Sequence, residues 1–384
     1  MPDKTRPLDG LTVVEFSTSV AAPFAGHVLA DLGARVIKVE NPEGGDDARR
    51  WGPPFDASGT SPVFAAFNRN KRSITVDLKD DDQRARLRRF ILKRADIVIQ
   101  NMRPGLLARF GLDAASLRAE APRLICADIH AYGASGPKRM QPGYDPLMQA
   151  CSGIMSVTGH PGRDPVRVGP SLVDQGSGMW LVIGILAALR TRDATGLGGI
   201  VDTSLYETAL GWLPAQLATY RLTGRAPGRI GSENAGIAPY KAFEAADGWL
   251  VIAAGNDNLF ARLAGVLSRP DLPDLPDYAS NPKRVENRAA LNALIAAILP
   301  SETRETWLAR LAEAGVPAAP VLTLDEVVED PQFAATGMLQ TDPAATVELV
   351  GVPLRFDGAR PALRHPAPHL GEANDILTET EDTQ

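Results

Sequence analysis

The segment from Leu11 to Glu40 decides the fold, and it reads LTVVEFSTSVAAPFAGHVLADLGARVIKVE. Its apolar run Leu11–Phe16 predicts a strand, and the apolar spacing from Pro23 to about Leu32 predicts a helix that Gly33 ends. The run Arg35–Glu40 predicts a second strand. A strand, a helix and a strand in this order form a β-α-β unit. Its two strands are parallel because the helix returns the chain to the same end of the sheet.

The same alternation of strands and helices continues beyond this unit. The pattern predicts strands at Ser73–Leu78, Ala95–Gln100, Leu124–His130 and Gly199–Asp202, and helices at Asp81–Arg94, Ala114–Arg118, Pro146–Val157, Ser177–Arg192 and Ser204–Thr223. Strands that alternate with helices are typical of α/β proteins with a parallel sheet, so we expect a Rossmann-like domain.

A glycine- and arginine-rich segment at residues 224–231 interrupts this alternation. After it, Tyr240–Glu244 and Trp249–Ala253 flank an Asp-Gly turn, which predicts a β-hairpin. Further patterns predict helices at Leu259–Leu267, Asn287–Leu299 and Arg304–Glu313, and a strand at Glu348–Phe356. The residues that follow the segment are therefore expected to form a smaller α+β domain.

The composition of the 384 residues is that of a globular protein, with 44% hydrophobic residues and a net charge of −6. Lysine and arginine do not cluster into a stripe, so we expect no nucleic-acid partner. Cys126 and Cys151 lie among apolar residues, which predicts a reducing compartment without disulfides. The N-terminus is polar and the apolar run Met179–Leu189 is shorter than a membrane span. We therefore expect a cytoplasmic protein without a membrane partner.

Several common site patterns are missing from the sequence. The loop Ser17–Pro23 lacks the Gly-x-Gly-x-x-Gly spacing that lets a backbone approach a pyrophosphate, which argues against a bound dinucleotide. His365 and His369 have i,i+4 spacing, but the prolines beside them prevent the helix that would align two metal ligands. No Gly-x-Ser-x-Gly elbow occurs, so acyl transfer by a serine is not expected.

Asp174 is the candidate that local pattern brings forward, in the stretch Gly169–Trp180, GPSLVDQGSGMW. It lies just before an apolar helix, where a carboxylate often caps the helix or complements its dipole. Gly176 and Gly178 leave the neighbourhood without side chains, so a ligand can approach and the carboxylate can act as a nucleophile. A helix cap and a nucleophile are both compatible with these residues.

Four segments together carry a resemblance to a known family. They are LDGLTVVEFSTSVAAPFAGHVLADLGARVIKVENPEGGDDAR from Leu8, FNRNKRSITVDLK from Phe67, ADIVIQNMRPGLLARFGLD from Ala95 and SLVDQGSGMWLVIGILAALRTRDATGLGGIVDTSLYETAL from Ser171. The chain resembles the class III coenzyme A transferases over residues 8–377, nearly its whole length. This family includes formyl-CoA transferase, carnitine CoA-transferase and, as a relative, α-methylacyl-CoA racemase.

The resemblance implies a fold and an assembly. Residues 1–225 would form a large Rossmann-like domain that binds CoA and carries the catalytic residue. Residues 226–330 would form a small inserted α+β domain, and residues 331–384 a C-terminal segment that returns to the large domain. Members of the family form interlocked homodimers, in which two ring-like chains pass through each other, so we expect a homodimer here.

The resemblance also implies a reaction. Asp174 would attack an acyl-CoA thioester and pass through an aspartyl-CoA thioester, so that CoA moves from the donor to a free carboxylic acid. A dicarboxylic acid is the expected class of acceptor. The partners would be acyl-CoA and a small carboxylic acid, with no permanently bound cofactor and no metal. Backbone N–H groups around Gly176–Gly178 and beside Gly255 would stabilise the oxyanions.

Contact residues follow from the positions that match the motifs of the family. The CoA contacts that it implies are Ser19, Val20, Ala21, Val76, Lys79, Asn101, Met102, Arg103 and Arg109. The substrate contacts that it implies are Trp51, Tyr144, Asp145 and Gly255. Lys79, Arg103 and Arg109 suit the phosphates of CoA because each carries a positive charge.

Two alternatives remain open. The racemases of the family move a proton at the α-carbon of a 2-methylacyl-CoA and use a histidine in a Gly-His-Asp segment, which here reads Gly143-Tyr144-Asp145. Tyrosine, with an unperturbed pKa of about 10, is a poor substitute for that histidine, so we favour the transferase. The second alternative, a CoA-binding protein without turnover, is disfavoured because Asp174 is intact.

Overall fold

The computed structural model describes residues 3–56, 59–343 and 347–378, and these form two compact units. The first unit consists of the chain up to Ile154, Arg167–Leu222 and the chain from Ala335 onward. The second consists of Met155–Val166 and Thr223–Ala334. Limits had been expected at residues 225 and 330, and the sequence did not predict that residues 155–166 belong to the second unit. A hydrogen bond from the N–H of Gly231 to the Gly159 carbonyl (2.9 Å) ties this segment into that unit.

A six-stranded parallel sheet organises the first unit. Its strands are β1 Thr12–Phe16, β2 Arg35–Glu40, β3 Lys71–Thr75, β4 Ile97–Gln100, β5 Ile125–His130 and β6 Ile200–Ser204, in the order β3-β2-β1-β4-β5-β6. The order reverses between β1 and β4. Ligands of such sheets bind at this point, in the crevice at the carboxyl ends of the strands. The α/β fold predicted from the alternation is confirmed.

Helices cover both faces of this sheet, and its central strands β1 and β4 are accordingly mostly apolar. The helices up to residue 223 are α1 Ala21–Asp31, α2 Pro62–Asn68, α3 Asp81–Arg94, α4 Ala114–Glu120, α5 Asp145–Ser152, α6 Ile154–Val157, α7 Leu172–Thr195, α8 Leu205–Gly211 and α9 Pro214–Thr223. Helices α3 and α4 bury side chains such as Phe90 and Leu117 against one face, and α1 and α7 pack on the other. The predicted helix Ser204–Thr223 is divided by Pro214, which has no N–H to continue α8.

The C-terminal segment is bound to the residues around strand β3 of the first unit. The side-chain oxygen of Asn70 accepts the backbone N–H groups of Arg364 (2.7 Å) and His365 (3.0 Å). Earlier in the segment, β10 Leu339–Thr341 and β11 Glu348–Val350 form an antiparallel pair. The strand predicted at Glu348–Phe356 is therefore shorter than expected, and it ends before Pro353, which cannot donate to a ladder.

Helix α7 is the one helix among the described residues that is long and apolar enough, by length and composition alone, to cross a membrane. Its apolar run was expected to be too short, but the helix extends that run at both ends. One side of the helix packs closely on α1 at Gly178, and the buried Arg192 near its end pairs with Asp96 (2.9 Å). These contacts are those of a core helix.

The second unit combines a small antiparallel sheet with helices. Its strands are β7 Tyr240–Ala245, β8 Gly248–Ala253 and β9 Ala318–Pro320, in the order β7-β8-β9. The remaining helices of the chain are α10 Asp257–Val266, α11 Asn281–Glu286, α12 Arg288–Ile298, α13 Arg304–Glu313, α14 Leu324–Glu329 and α15 Pro331–Thr336. The predicted hairpin at Asp247-Gly248 is confirmed, because Ala245 pairs with Gly248. Phe260, Leu263 and Trp307 lie in the core of this unit.

Candidate active site

Asp174 lies in the first turn of helix α7. The helix begins at Leu172 with Ser171 as its N-cap residue, so the prediction that it starts at Ser177 was wrong. The glycines in this stretch disfavour a helix in isolation, but tertiary packing overrides that preference. Because Arg192 contacts Asp96 just before β4, the helix ends at the amino edge of the sheet. Its first turn therefore lies toward the carboxyl edge, where ligands of such sheets bind.

Asp145, the first residue of α5, caps helix α7. Its Oδ2 atom accepts the N–H of Val173 (2.8 Å) and that of Asp174 (3.3 Å), and its Oδ1 atom accepts a hydrogen bond from Nε2 of Gln149 (2.5 Å). The expected substrate contact at Asp145 is corrected, because its side chain is 2% exposed and both oxygens are bonded within the protein. The capping role considered for Asp174 thus belongs to Asp145.

The carboxyl group of Asp174 is partly buried and has no cation beside it among the described residues. Burial raises the pKa of Asp174 to about 7, and the negative charge of Asp145 adds to the rise. A carboxyl group that titrates near neutrality can exchange between an ionised nucleophile and a neutral acid at physiological pH. Such perturbed groups are concentrated at functional sites.

Gly176 and Gly178 serve helix packing. A Cβ added at Gly176 would lie 2.9 Å from Cζ2 of Trp212, and one added at Gly178 would lie 2.7 Å from the carbonyl oxygen of Ala21. The expectation that these glycines leave space for a ligand was wrong, since protein atoms fill that space. Their N–H groups lie beyond the first turn, where helical hydrogen bonds engage them, so the proposed oxyanion donors at Gly176–Gly178 are also corrected.

The residues expected to contact CoA lie at one edge of the sheet. Ser19, Val20 and Ala21 follow β1, Val76 and Lys79 follow β3, and Asn101, Met102, Arg103 and Arg109 follow β4. The side chain of Asn101 joins two of these groups, because its Oδ1 accepts the N–H of Thr18 (3.1 Å) and its Nδ2 donates to the carbonyl of Thr18 (2.9 Å). Since β1 and β4 flank the reversal in strand order, the residues that follow these two strands lie at the crevice where ligands bind in this fold. Val76 and Lys79 follow the edge strand β3, at the same end of the sheet but away from the reversal.

The side chains of these residues differ in what they can offer a ligand. Lys79, Arg103 and Arg109 are exposed and available to phosphates. Val20 and Ala21 are at most 5% exposed, so they can contribute through their backbone at the start of α1. That helix has no side-chain cap and no acidic residue in its first turn, which leaves its N-terminal N–H groups suited to an anion. Met102 is half-buried and packs against the core cluster to which Val76 belongs.

The residues expected to contact the acid are separated between the two units. Trp51 (39% exposed) and Tyr144 (57% exposed) belong to the first unit, and both present apolar surface to solvent. Gly255 belongs to the second unit, between β8 and α10, where Asn256 caps α10 through the N–H of Leu259 (2.9 Å). The substrate contact at Gly255 stays a prediction. Within the described ranges no group of three or more His, Cys, Asp or Glu residues could hold a metal.

Sequence patterns did not bring forward a set of buried charges beneath the loop that follows β1. Glu15, Lys38 and Asp46 are at most 1% exposed, and Asp46 accepts the N–H of Ser19 (3.0 Å). A signal was present, because Glu15 and Lys38 each lie between two apolar residues of a strand that is buried on both faces. Charges in such strands have to be paired, and their position beside a ligand loop indicates a role in the site.

Comparison with known proteins agrees with this geometry. The model of the CoA-transferase family III matches residues 8–374. A succinate–glutarate CoA-transferase of Agrobacterium fabrum is 37% identical over 99% of this chain and 97% of its own length. An acetyl-CoA:oxalate CoA-transferase of Acetobacter aceti is 38% identical over 97% of this chain and 95% of its own.

Solved structures agree as well. The crystal structure of a CAIB/BAIF family protein from Brucella suis is 41% identical, with a TM-score of 0.88 over 98% of this chain and 100% of that one. The structure of Rv3272 from M. tuberculosis is 33% identical, with a TM-score of 0.88 over the same shares. The family match, the curated relatives and the shared fold extend over nearly the whole chain, and the protein therefore belongs to CoA-transferase family III and is a transferase enzyme.

Proposed function

We propose that this enzyme moves CoA between succinyl-CoA, or a similar dicarboxylic acyl-CoA, and a second small dicarboxylic acid, with Asp174 as the nucleophile. The observation that carries the proposal is the partly buried Asp174 carboxyl group at the ligand-binding edge of the sheet, with its pKa raised to about 7. The acids are supported by the relatives, which include a succinate–glutarate enzyme and a succinyl-CoA–D-citramalate CoA-transferase of Chloroflexus aurantiacus that is 36% identical.

The reaction proceeds in four acyl transfers. The Asp174 carboxylate attacks the thioester carbonyl, which gives a mixed anhydride and releases CoA thiolate. The thiolate attacks the aspartyl carbonyl carbon, forms the aspartyl-CoA thioester and releases the donor acid as its carboxylate. The acceptor carboxylate attacks this thioester, which forms a second anhydride and releases the thiolate again. The thiolate then takes the acceptor acyl group, and Asp174 is regenerated as a carboxylate.

The environment of Asp174 suits this role. Above a pH of about 7 the group is ionised, yet burial keeps it poorly hydrated, and a poorly hydrated carboxylate is a stronger nucleophile than a fully solvated one. Asp145 holds the first turn of α7 through the N–H groups of Val173 and Asp174, so the nucleophile is attached to a fixed backbone. Positioning of this kind lowers the entropic cost of the reaction.

A dicarboxylic acid also requires a cation for its second carboxylate. Lys138 and Arg139 are exposed on the loop that connects β5 to α5 and ends at Tyr144. The Nζ atom of Lys138 lies 5.3 Å from the centre of the Tyr132 ring, which supports the ammonium group by a cation–π contact. We assign these two side chains to recognition of the acid.

Chemical trapping tests the proposal. The enzyme is incubated with succinyl-CoA and hydroxylamine, and its peptides are then analysed by mass spectrometry. We expect a hydroxamate at Asp174, because hydroxylamine captures an activated aspartyl carbonyl. Free CoA with hydroxylamine is the control and should leave the peptide unmodified. An unmodified Asp174 during continuing turnover would overturn the assignment.

The surface of α7 supports a homodimer, the assembly expected from the resemblance. Met179, Trp180 and Ile183 are each about half exposed, and Leu186 continues the same face. Exposed apolar residues of this density are typical of an interface rather than of a monomer surface. We propose that a second copy covers them. Because interlocked chains separate only on unfolding, wild type and Ile183→Glu are unfolded and refolded at low concentration. Light scattering should then find a dimer for the wild type and a monomer for the variant, and an unchanged dimer would exclude this face.

The isomerase alternative predicts a different observation. Proton transfer at the α-carbon of a 2-methylacyl-CoA would introduce deuterium from D2O at that carbon. Tyr144 occupies the position at which the racemases use a histidine, so we expect no deuterium uptake. Rapid uptake without acid exchange would favour the isomerase.

A further inference from the structure

The loop Ser17–Ser19, between β1 and α1, is held at every residue by a polar side chain from elsewhere in the first unit. Nζ of Lys38 donates to the carbonyl oxygen of Ser17 (2.8 Å), and Asn101 bonds both backbone groups of Thr18. Oδ1 of Asp46 accepts the N–H of Ser19 (3.0 Å). The loop has no repeating backbone hydrogen bonds of its own, so these side chains decide its conformation.

That conformation includes a backbone angle that a serine seldom adopts. Ser19 has φ of +71°, in the left-handed region that favours glycine. A non-glycine residue stays there only where its surroundings over-determine it, and such residues are concentrated at ligand sites. The bond from the N–H of Ser19 to Asp46 is the contact that offsets this strain directly.

The charges that make these bonds are buried and balanced. Lys38 pairs with Asp46 (2.9 Å) and with Glu15 (3.3 Å), and Glu15 pairs on its other side with Lys71 (2.9 Å). Two ammonium groups thus face two carboxylates, each at most 1% exposed. Burial opposes the ammonium form, but the carboxylates of Asp46 and Glu15 outweigh it and raise the pKa of Lys38. Buried ion pairs add little net stability compared with apolar residues, so stability alone does not account for this cluster.

We propose that Asp46 and Lys38 are positioning residues, which hold the loop Ser17–Ser19 in the conformation that receives CoA at the carboxyl end of β1. The inference rests on the CoA site of the proposed function. It assigns a role in ligand affinity to two buried residues that need not touch the ligand. The acid site and the nucleophile are not involved, so the effect should be confined to the CoA half of the reaction.

The chain offers a matched control at the opposite end of the same strand. Asp96 accepts the N–H of Thr12, the first residue of β1 (2.9 Å), and pairs with Arg192 (2.9 Å). Asp46 makes the same two kinds of contact beyond the last residue of β1. Asp96→Asn and Asp46→Asn therefore make the same chemical change at the two ends of one strand, and only the second end faces the ligand.

The experiment measures the Kd of free CoA by calorimetry, together with kcat, the KM of succinyl-CoA and the KM of the acid, for the wild type, Asp46→Asn, Asp46→Ala and Asp96→Asn. We expect Asp46→Ala to weaken CoA binding by at least about tenfold and Asp46→Asn by about threefold, because the amide oxygen can still accept the Ser19 N–H. The KM of succinyl-CoA should rise in parallel and that of the acid should stay unchanged. Asp96→Asn should keep the wild-type Kd even where it lowers the unfolding temperature.

Each outcome bears on a different statement. A wild type that does not bind CoA would overturn the proposed site, and this inference with it. A wild type that binds CoA, with folded Asp46 variants that bind it equally well, would overturn only the inference. Equal loss of CoA affinity in Asp96→Asn would also overturn it, since the effect would then be general destabilisation. Should Asp46→Ala fail to fold, the Asn variant decides, because it keeps the acceptor.

Discussion

At its C-terminal end helix α7 carries Arg192, which is 6% exposed and pairs with Asp96. At its N-terminal end it carries Asp174, which has no cation beside it among the described residues and lies near the carboxylate of Asp145. Both charges complement the helix dipole, so the dipole does not distinguish them. What differs is the partner. A charge that serves the fold is neutralised, whereas the charge at the ligand edge is left unneutralised and its pKa rises.

Replacing the charge at the N-terminal end should have the largest effect. We expect Asp174→Asn to lower CoA transfer by at least about 10³-fold, because the amide cannot attack a thioester. The Kd of CoA, measured by calorimetry, should change little. Asp193→Asn is the matched control, since it makes the same change at an exposed position of the same helix. Substantial activity in Asp174→Asn would contradict the assignment of a catalytic role to the N-terminal end of α7.

Substitution of Asp145, which caps α7, should shift the pH dependence of kcat/KM. In the wild type we expect kcat/KM to fall as the pH falls through about 7, because protonation removes the nucleophile. Asp145→Asn removes a neighbouring negative charge while its amide oxygen can still accept the Val173 N–H. The acidic limb should therefore move down by about one pH unit. Asp113→Asn, which changes the N-cap of α4, should leave the limb in place. An unmoved limb in Asp145→Asn would contradict the electrostatic role.

Removing the ion pair between Arg192 and Asp96 should lower the stability of the protein and leave its activity unchanged. Arg192→Met leaves the carboxylate of Asp96 without its cation, and we expect a loss of about 1 to 2 kcal/mol in the free energy of unfolding. Denaturant titration measures this loss, and kcat/KM should stay within about twofold. Arg190→Met, at an exposed position of the same turn, is the control. A loss of activity at unchanged stability would show that the C-terminal end of α7 contributes to the reaction, contrary to this prediction.

An effect of similar size and opposite sign is expected on the stability of Asp174→Asn. Because the pKa of Asp174 is raised in the folded state from 3.8 to about 7, ionisation costs stability as the pH rises through that window. A shift of this size corresponds to about 4 kcal/mol for a fully buried group. Residual hydration of the partly exposed carboxyl group and the cost of burying an unpaired amide reduce this figure, so the variant should be more stable than the wild type by about 1 to 2 kcal/mol at pH 8. The gain should fall by more than half at pH 5. Unfolding at the two pH values measures this. A less stable variant at pH 8 would show that the Asp174 carboxylate supports the fold.

Local pattern predicted much of the architecture correctly. The strand β2 and the helix α3 were predicted at their observed limits, because a short stretch rich in β-branched residues and a long helical stretch with clear end signals are local properties. The start of α7 was predicted five residues late, since glycines lower helix propensity and the contacts with α1 and Trp212 that outweigh this are distant in sequence. Helix α2 was not predicted, because its seven residues carry too short a pattern.

In the candidate active site, too, the features that depend on contacts between distant residues were not predicted. Local pattern brought Asp174 forward without deciding between a cap and a nucleophile, and the residues after β1, β3 and β4 were implied by the resemblance to the family. In the structure they lie toward one edge of the sheet. The role of Asp145 was assigned incorrectly, and the supporting role of Asp46 was not recognised at all. Both depend on which backbone N–H each carboxylate reaches, and those groups lie 28 and 27 residues away.

The sequence by itself determined the alternation of strands and helices, the family, and the presence of one carboxylate at the start of an apolar helix. These follow from local spacing and from segments long enough to be specific. Only the tertiary structure decided that Asp145 caps α7, that Asp174 has no cation beside it among the described residues, and that Gly176 and Gly178 let α7 pack closely on its neighbours. The reason is physical: a pKa, a cap and a close contact each depend on atoms that folding brings within a few ångströms.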